Sequence, residues 1–117
     1  MNGADRIAAE RKRQIQQEGW DQKHDRKHQS HQLVLAAVCY ALPRYLRERS
    51  IWGRSLWSLL WPWNSGWWKP APSIVVTDRR EERIRELEKA GALIAAEIDR
   101  LQAEAARKTT YAVVDAR

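Results

Sequence analysis

The chain has 117 residues, a formal net charge of +6, seven Trp and no Phe. That length fits one domain, 1–117, which buries roughly 65% of its unfolded surface if it folds alone. A single cysteine, Cys39, excludes an internal disulfide and fits a reducing compartment. The polar opening MNGADRIAAERKRQ does not read as a signal peptide, and the longest apolar runs fall short of the ~20 residues of a membrane span.

Charge is unevenly spread. Residues 1–50 carry ten Lys/Arg against six Asp/Glu, residues 51–77 carry only Arg54 and Lys69, and residues 78–117 carry nine of each sign. The positive excess therefore lies in the first half and in the Trp-rich stretch. It suits an anionic partner such as a nucleotide, a nucleic acid or an acidic lipid, or is an ordinary solvated surface.

Asp5 to Glu18 reads as a first helix, stopped by Gly19. Ile7, Ala8, Arg11 and Ile15 fall near one face, and Glu10, Gln14 and Glu18 share another, which is either solvated or lines a polar pocket. A polar loop, Asp21 to Ser30, follows Trp20 and holds His24, Asp25 and His28, with His31 just beyond. No cysteine pair accompanies these histidines, so a structural zinc site is not expected. His24-Asp25 resembles the dyad of metal-dependent phosphohydrolases, but that chemistry needs further His and Asp ligands on other helices, and no His exists beyond His24, His28 and His31. Hydrogen bonding to hydroxyls or base edges is the better use of the pair.

Ser30 is placed to cap a second helix from His31 to Leu42, ended by Pro43. Its run LVLAAVCYAL is apolar nearly all round and predicts the most buried helix, with Tyr40 needing a partner for its hydroxyl. The basic segment Pro43 to Ser50, with Arg44, Arg47 and Arg49, reads as a short amphipathic helix leading into the Trp-rich loop, where Trp57, Leu60 and Trp61 lie at helical spacing; the two together could lie on a membrane surface. That loop, IWGRSLWSLLWPWNSGWWKP, holds six of the seven Trp, punctuated by Pro62, Pro70 and the turn Asn64-Ser65-Gly66. Its indoles serve as core, as a wall for a flat ligand, or as a membrane-interface anchor.

After a Pro-rich linker and a short extended segment, Ser73 to Thr77, comes the clearest element, a helix over about 78–107 with Asp78 and Glu81 at capping-box spacing. The tail 108–117 is expected to fray. Ile84, Leu87, Gly91, Ile94, Ile98 and Leu101 form a heptad-like stripe, expected to pack on the second helix or, alternatively, to seam a homo-oligomer. Gly91 in that stripe predicts close approach of another element. Arg83, Arg85 and Lys89 either pair with neighbouring acids or point at a pocket. No phosphate-cradling glycine loop, nucleophile elbow or metalloprotease helix is present, and basic residues are interleaved with acids rather than gathered as nucleic-acid polymers require.

Three stretches together resemble a known family. ERKRQIQQEGWDQKHDRKHQSHQLVLAAVCYA (10–41), with WPWNSGWWKP and LEKAGALIAAEIDRL (87–101), resembles a widespread family of small bacteriophage and prophage proteins. Those share an E-R-x-R-Q-I-x-x-E-G-W-x-x-x-H-D opening, an A-A-x-x-Y-A helix, a W-P-W-x-x-x-W-W-K-P loop and a K-A-G-A-L-I-x-A-E-I-x-R-L helix. The order R-x-x-Q-x-x-x-E-G-W then H-D is also faintly similar to the ryanodine-receptor repeat domain, a small helical module. The first likeness implies a phage protein in the bacterial cytoplasm. The second implies ligand binding, since relatives occur in immune effectors that sense nucleotide signals. The basic segment Arg44 to Trp57 lies outside both patterns.

The expectation is thus an all-α domain, a small bundle of about three main helices with the Trp-rich loop closing one end. Its expected role is non-catalytic sequestration of a nucleotide-derived immune messenger, a cyclic dinucleotide or an ADP-ribose derivative, with no cofactor or metal and no membrane span. Trp20 and one or more of Trp63, Trp67 and Trp68 would stack on bases. Arg11, Lys69 and Arg85 or Lys89 would meet phosphate, and Glu18, His24 and Asp25 would read hydroxyls or an amino group. Gln14 and Tyr40 complete the matching positions. A protein-binding inhibitor using the Trp patch is the alternative, and a nucleotide hydrolase the third reading.

Overall fold

The structure is a computed structural model that describes residues 1–18, 31–70 and 79–115. Those residues are mostly helical: α1 (Gly3–Glu18), α2 (Gln32–Ala41), α3 (Arg44–Arg47), α4 (Leu56–Leu60) and α5 (Arg79–Asp115). A two-residue antiparallel ladder, β1 (Ser50–Ile51) and β2 (Arg54–Ser55), lies between α3 and α4, and a 3-10 turn spans Ser65–Trp67. Ser30 and Asp78, the expected caps, the linker after Pro70 and the extended segment Ser73 to Thr77 lie outside the described residues. No described helix is long and apolar enough to cross a membrane.

The spine is α5, whose 37 residues span about 55 Å at 1.5 Å each. It runs past residue 107, where the sequence predicts fraying, to Asp115. Both α1 and α2 pack on it. The core is the meeting of two small-residue faces. Leu33, Ala36, Ala37 and Tyr40 of α2 interlock with Ala90, Leu93 and Ala96 of α5, and Trp61, Trp63 and Trp68 pack against the rim. Alanines let the two helices approach closely, and the bulk missing from them is supplied by the indoles.

The second helix is the buried one, as its composition predicts. Its partner face on α5 is not the expected stripe. Leu87, Ile94, Ile98 and Leu101 are 44–51% exposed. The contact with α2 is instead made one face round, by Ala90, Leu93 and Ala96. Gly91 of the stripe does meet another element, and the element is α1: a Cβ built on Gly91 would lie 2.6 Å from Ile7 Cδ1 and 2.7 Å from Ile7 Cγ1. This is the close approach the glycine foretold.

The α1 interface is polar. Glu10, Arg11 and Gln14 are buried, whereas Ile15 is 38% exposed. A solvated face for Glu10 and Gln14 is therefore overturned. The reason is charge pairing across the interface. Arg13 and Arg85 both donate to Glu10, Arg6 bonds Glu88 at 3.2 Å, and Arg11 meets Asp99 at 3.3 Å. A buried carboxylate is tolerated only with such partners.

The end of α2 is closed from outside. Pro43 stops the helix, and α2 has no basic residue in its last turn. Arg83 of α5 donates to the carbonyls of Tyr40, Ala41 and Leu42, and Arg47 of α3 donates to Leu42 O. These cations satisfy otherwise orphaned carbonyls and oppose the negative end of the helix dipole. Arg47, fully buried, also pairs with Glu86. Arg83 and Arg47 are thus structural.

Candidate functional site

The aromatic cluster grows where the chain after α4 folds back against the core face that α2 contributes. Pro62 and the Asn64 cap, whose Oδ1 accepts from Gly66 N at 2.8 Å, force the loop to fold back, and Trp61 Nε1 donates to Asn64 O at 3.0 Å. The fold brings Trp68 against Tyr40 (ring centroids 4.8 Å), Trp61 (5.0 Å) and Trp57 (5.2 Å, nearly parallel). Trp61 meets Tyr40 and Trp63 edge-on at 5.8 and 5.4 Å. The Arg47 guanidinium sits 5.4 Å from the Trp68 ring centre. Trp63 and Trp68, expected to stack on a ligand, are both half-buried here and packed on protein rings and the core. Trp67 differs: it is 62% exposed, with Lys69 Nζ 6.0 Å from its ring centre.

Tyr40 links this cluster to α5. Its hydroxyl accepts from Lys69 N at 3.3 Å, which answers the need of a buried phenol for a partner. Lys89 Nζ lies 5.4 Å from the Tyr40 ring centre and donates to Lys69 O at 3.1 Å. Beside them runs an open cleft of about 470 Å³, lined by Lys69, Pro70, Glu81, Glu82, Arg85, Glu86 and Lys89. Three of the expected phosphate-binding cations therefore share one cleft, next to the one exposed ring among Trp63, Trp67 and Trp68. Three carboxylates share the cleft with them, so the cations are already partly compensated.

The remaining expected residues divide. Arg11 and Gln14 lie buried in the α1–α5 interface, and neither lines the Lys69 cleft. Arg11 instead edges an apolar groove of about 580 Å³ with Ile7, Ile15 and Ala95. Gln14 Oε1 is buried with no hydrogen-bond partner among the described residues. Arg85 bridges the two regions, since it bonds Glu10 and Glu88 on one side and lines the cleft on the other. The side chain of Glu18, with Trp20, His24 and Asp25, lies outside the described residues.

The electrostatics are those of paired groups. Burial raises the pKa of Glu10, but hydrogen bonds and charge from Arg13 and Arg85 outweigh it and hold the carboxyl below its usual value. Burial pushes the Cys39 thiol up to about 11 despite the opposing charge of Arg47, and its Sγ lies 3.7 Å from Trp57 O. That thiol is a buried hydrophobe, not a nucleophile. No group of three or more His, Cys, Asp and Glu able to hold a metal occurs among the described residues.

Sequence reasoning missed the hairpin at 50–55. Trp52 and Gly53 occupy its two-residue loop with φ of 52° and 76°, the pattern of a type I′ turn. Such turns announce themselves as Asn-Gly or Asp-Gly. Trp-Gly carries only half the signal, because a bulky residue seldom adopts positive φ. No protein-family model, curated protein or solved structure matches the chain.

Proposed function

We propose that the protein is a non-catalytic binder of a nucleotide-derived messenger, a cyclic dinucleotide or an ADP-ribose derivative, acting as a phage anti-defence sponge in the bacterial cytoplasm. The observation that carries the reading is the convergence of Lys69, Arg85 and Lys89 on one cleft beside the exposed Trp67 ring. The ring offers a stacking face and the cations offer charge-assisted donors to phosphate. Sub-micromolar capture needs about 8 kcal/mol or more. One or two stacked bases at ~1–3 kcal/mol each and charge-assisted bonds at ~1.5–3 kcal/mol supply that order of energy. In this reading the Trp-rich loop closes one end of a helical bundle over the ligand. The exposed row Leu87, Ile94, Ile98 and Leu101 is where a second copy would seat, giving a self-association that sedimentation velocity reads.

The test is a melting-temperature panel over cyclic dinucleotides, ADP-ribose derivatives, NAD and mononucleotides, with mass spectrometry of material released on heating. The expected result is a selective upward shift, intact ligand on release, and at least tenfold weaker binding for Trp67→Ala or the pair Lys69→Gln with Lys89→Gln. Recovery of cleaved products would instead indicate a hydrolase. A flat panel would sink the messenger reading for those ligands.

A further inference from the structure

A second surface shares no residue with the lining of the cleft and owes nothing to the nucleotide reading. Trp52 stands at the tip of the hairpin with 90% of its surface exposed. Its backbone is held at φ 52°, a region bulky side chains seldom occupy. Strain of this kind persists where the surroundings over-determine it, and the surroundings here do. Ile51 pairs with Arg54, Leu56 N donates to Arg49 O at 2.9 Å, Ser58 Oγ donates to Ser55 O at 2.7 Å, and Arg54 donates to Ser58 O at 3.2 Å. The fold thus holds an indole out into water at a fixed place. Tyr45, in the turn of helix that leads to the hairpin, is 76% exposed. Arg44, Arg49 and Arg54 are exposed in the same segment, and Glu48 is the one acid between residues 44 and 55.

We propose that this tip is a docking finger for an anionic lipid surface. The order of groups along the hairpin matches the depth order of a membrane interface. The indole leads, an apolar body with one N–H, which suits the boundary between acyl chains and headgroups. Arg54 stands one residue behind Gly53, and Arg49 three residues behind Trp52, just before β1, at the level where lipid phosphates and serine carboxylates would sit. An anionic leaflet attracts each such cation by about a fivefold gain in partitioning. A nucleic-acid strand fits less well. Sequence-tolerant binding of single strands uses rings laid along a basic groove, whereas one ring at the apex of a two-residue loop penetrates rather than paves.

The experiment is co-sedimentation with vesicles of phosphatidylcholine alone and of phosphatidylcholine mixed with phosphatidylserine, with an oligothymidylate binding assay alongside. Wild-type protein should pellet with the mixed vesicles, release at high salt, and stay largely in the supernatant with phosphatidylcholine alone. Trp52→Asn, which suits a type I′ turn and leaves a soluble fold, should lose the binding without lowering the melting temperature, and Trp52→Phe should keep most of it. Arg49→Gln with Arg54→Gln should weaken partitioning about 25-fold at low salt. The proposal is overturned if wild type ignores the mixed vesicles, if Trp52→Asn binds as wild type does, or if the oligonucleotide alone is bound in a Trp52-dependent way.

Discussion

Glu10 shows how single residues here carry more than their type suggests. It is 2% exposed, and two guanidiniums, one from its own helix and one from α5, donate to it. Its folded pKa lies below the value of 4.5 it takes without such partners. A carboxyl depressed on folding contributes stability that is complete above its unfolded pKa and is lost as pH falls through the folded one. Stability should therefore hold from neutrality down to about pH 4.5 and then decline, with Glu10 contributing to the decline. Urea titrations of wild type and Glu10→Gln between pH 7 and pH 3 check this. The variant should be less stable at pH 7, and the gap should close at the acid end. A gap constant with pH would show that Glu10 gains nothing from its charge.

Elements are set against each other by small residues at chosen points. Gly91 sits mid-helix, where glycine costs about 1 kcal/mol relative to alanine. The alanine would nevertheless meet Ile7 at 2.6–3.1 Å on three carbons. Ile7 is β-branched and stiff, so it cannot swing aside cheaply. Overpacking typically costs about 1–3 kcal/mol, which exceeds the propensity gained. Gly91→Ala should thus destabilise by about 1 kcal/mol despite being a helix-favouring change. The same alanine in an Ile7→Ala background should stabilise. Chemical denaturation of the four-member cycle reads the coupling directly, and additive effects would mean that α1 does not cross α5 at this point.

At the scale of the whole molecule, the two faces of α5 should respond very unequally to the same substitution. Leu93 is 1% exposed in the shared core, whereas Ile98 is 50% exposed. Leu93→Ala should cost about 2–5 kcal/mol through lost burial and the cavity left behind. Ile98→Ala should lie within roughly 0.5 kcal/mol of wild type, because exposed changes are small and alanine favours helix. Thermal melts at low protein concentration test both. A large loss at Ile98 only at high concentration would report a second copy on that face.

The helical class, the buried second helix, its end at Pro43 and the long final helix were legible in the sequence, because hydrophobic periodicity and proline act locally. Cys39 as an interior residue and the close approach at Gly91 were legible for the same reason. What only the tertiary structure decided was the choice of faces. The stripe at 87, 94, 98 and 101 has the better hydrophobic spacing, yet α2 packs on Ala90, Leu93 and Ala96, since small side chains permit a closer approach than isoleucines do. The burial of Glu10 and Gln14, the capping of α2 by Arg83 from 41 or more residues away, and the exposure of Trp52 and Trp67 where the other rings of the loop are half-buried depend likewise on partners remote in sequence. A periodicity says which residues share a face; it does not say which face another element will cover, because that depends on the shape and charge of what arrives.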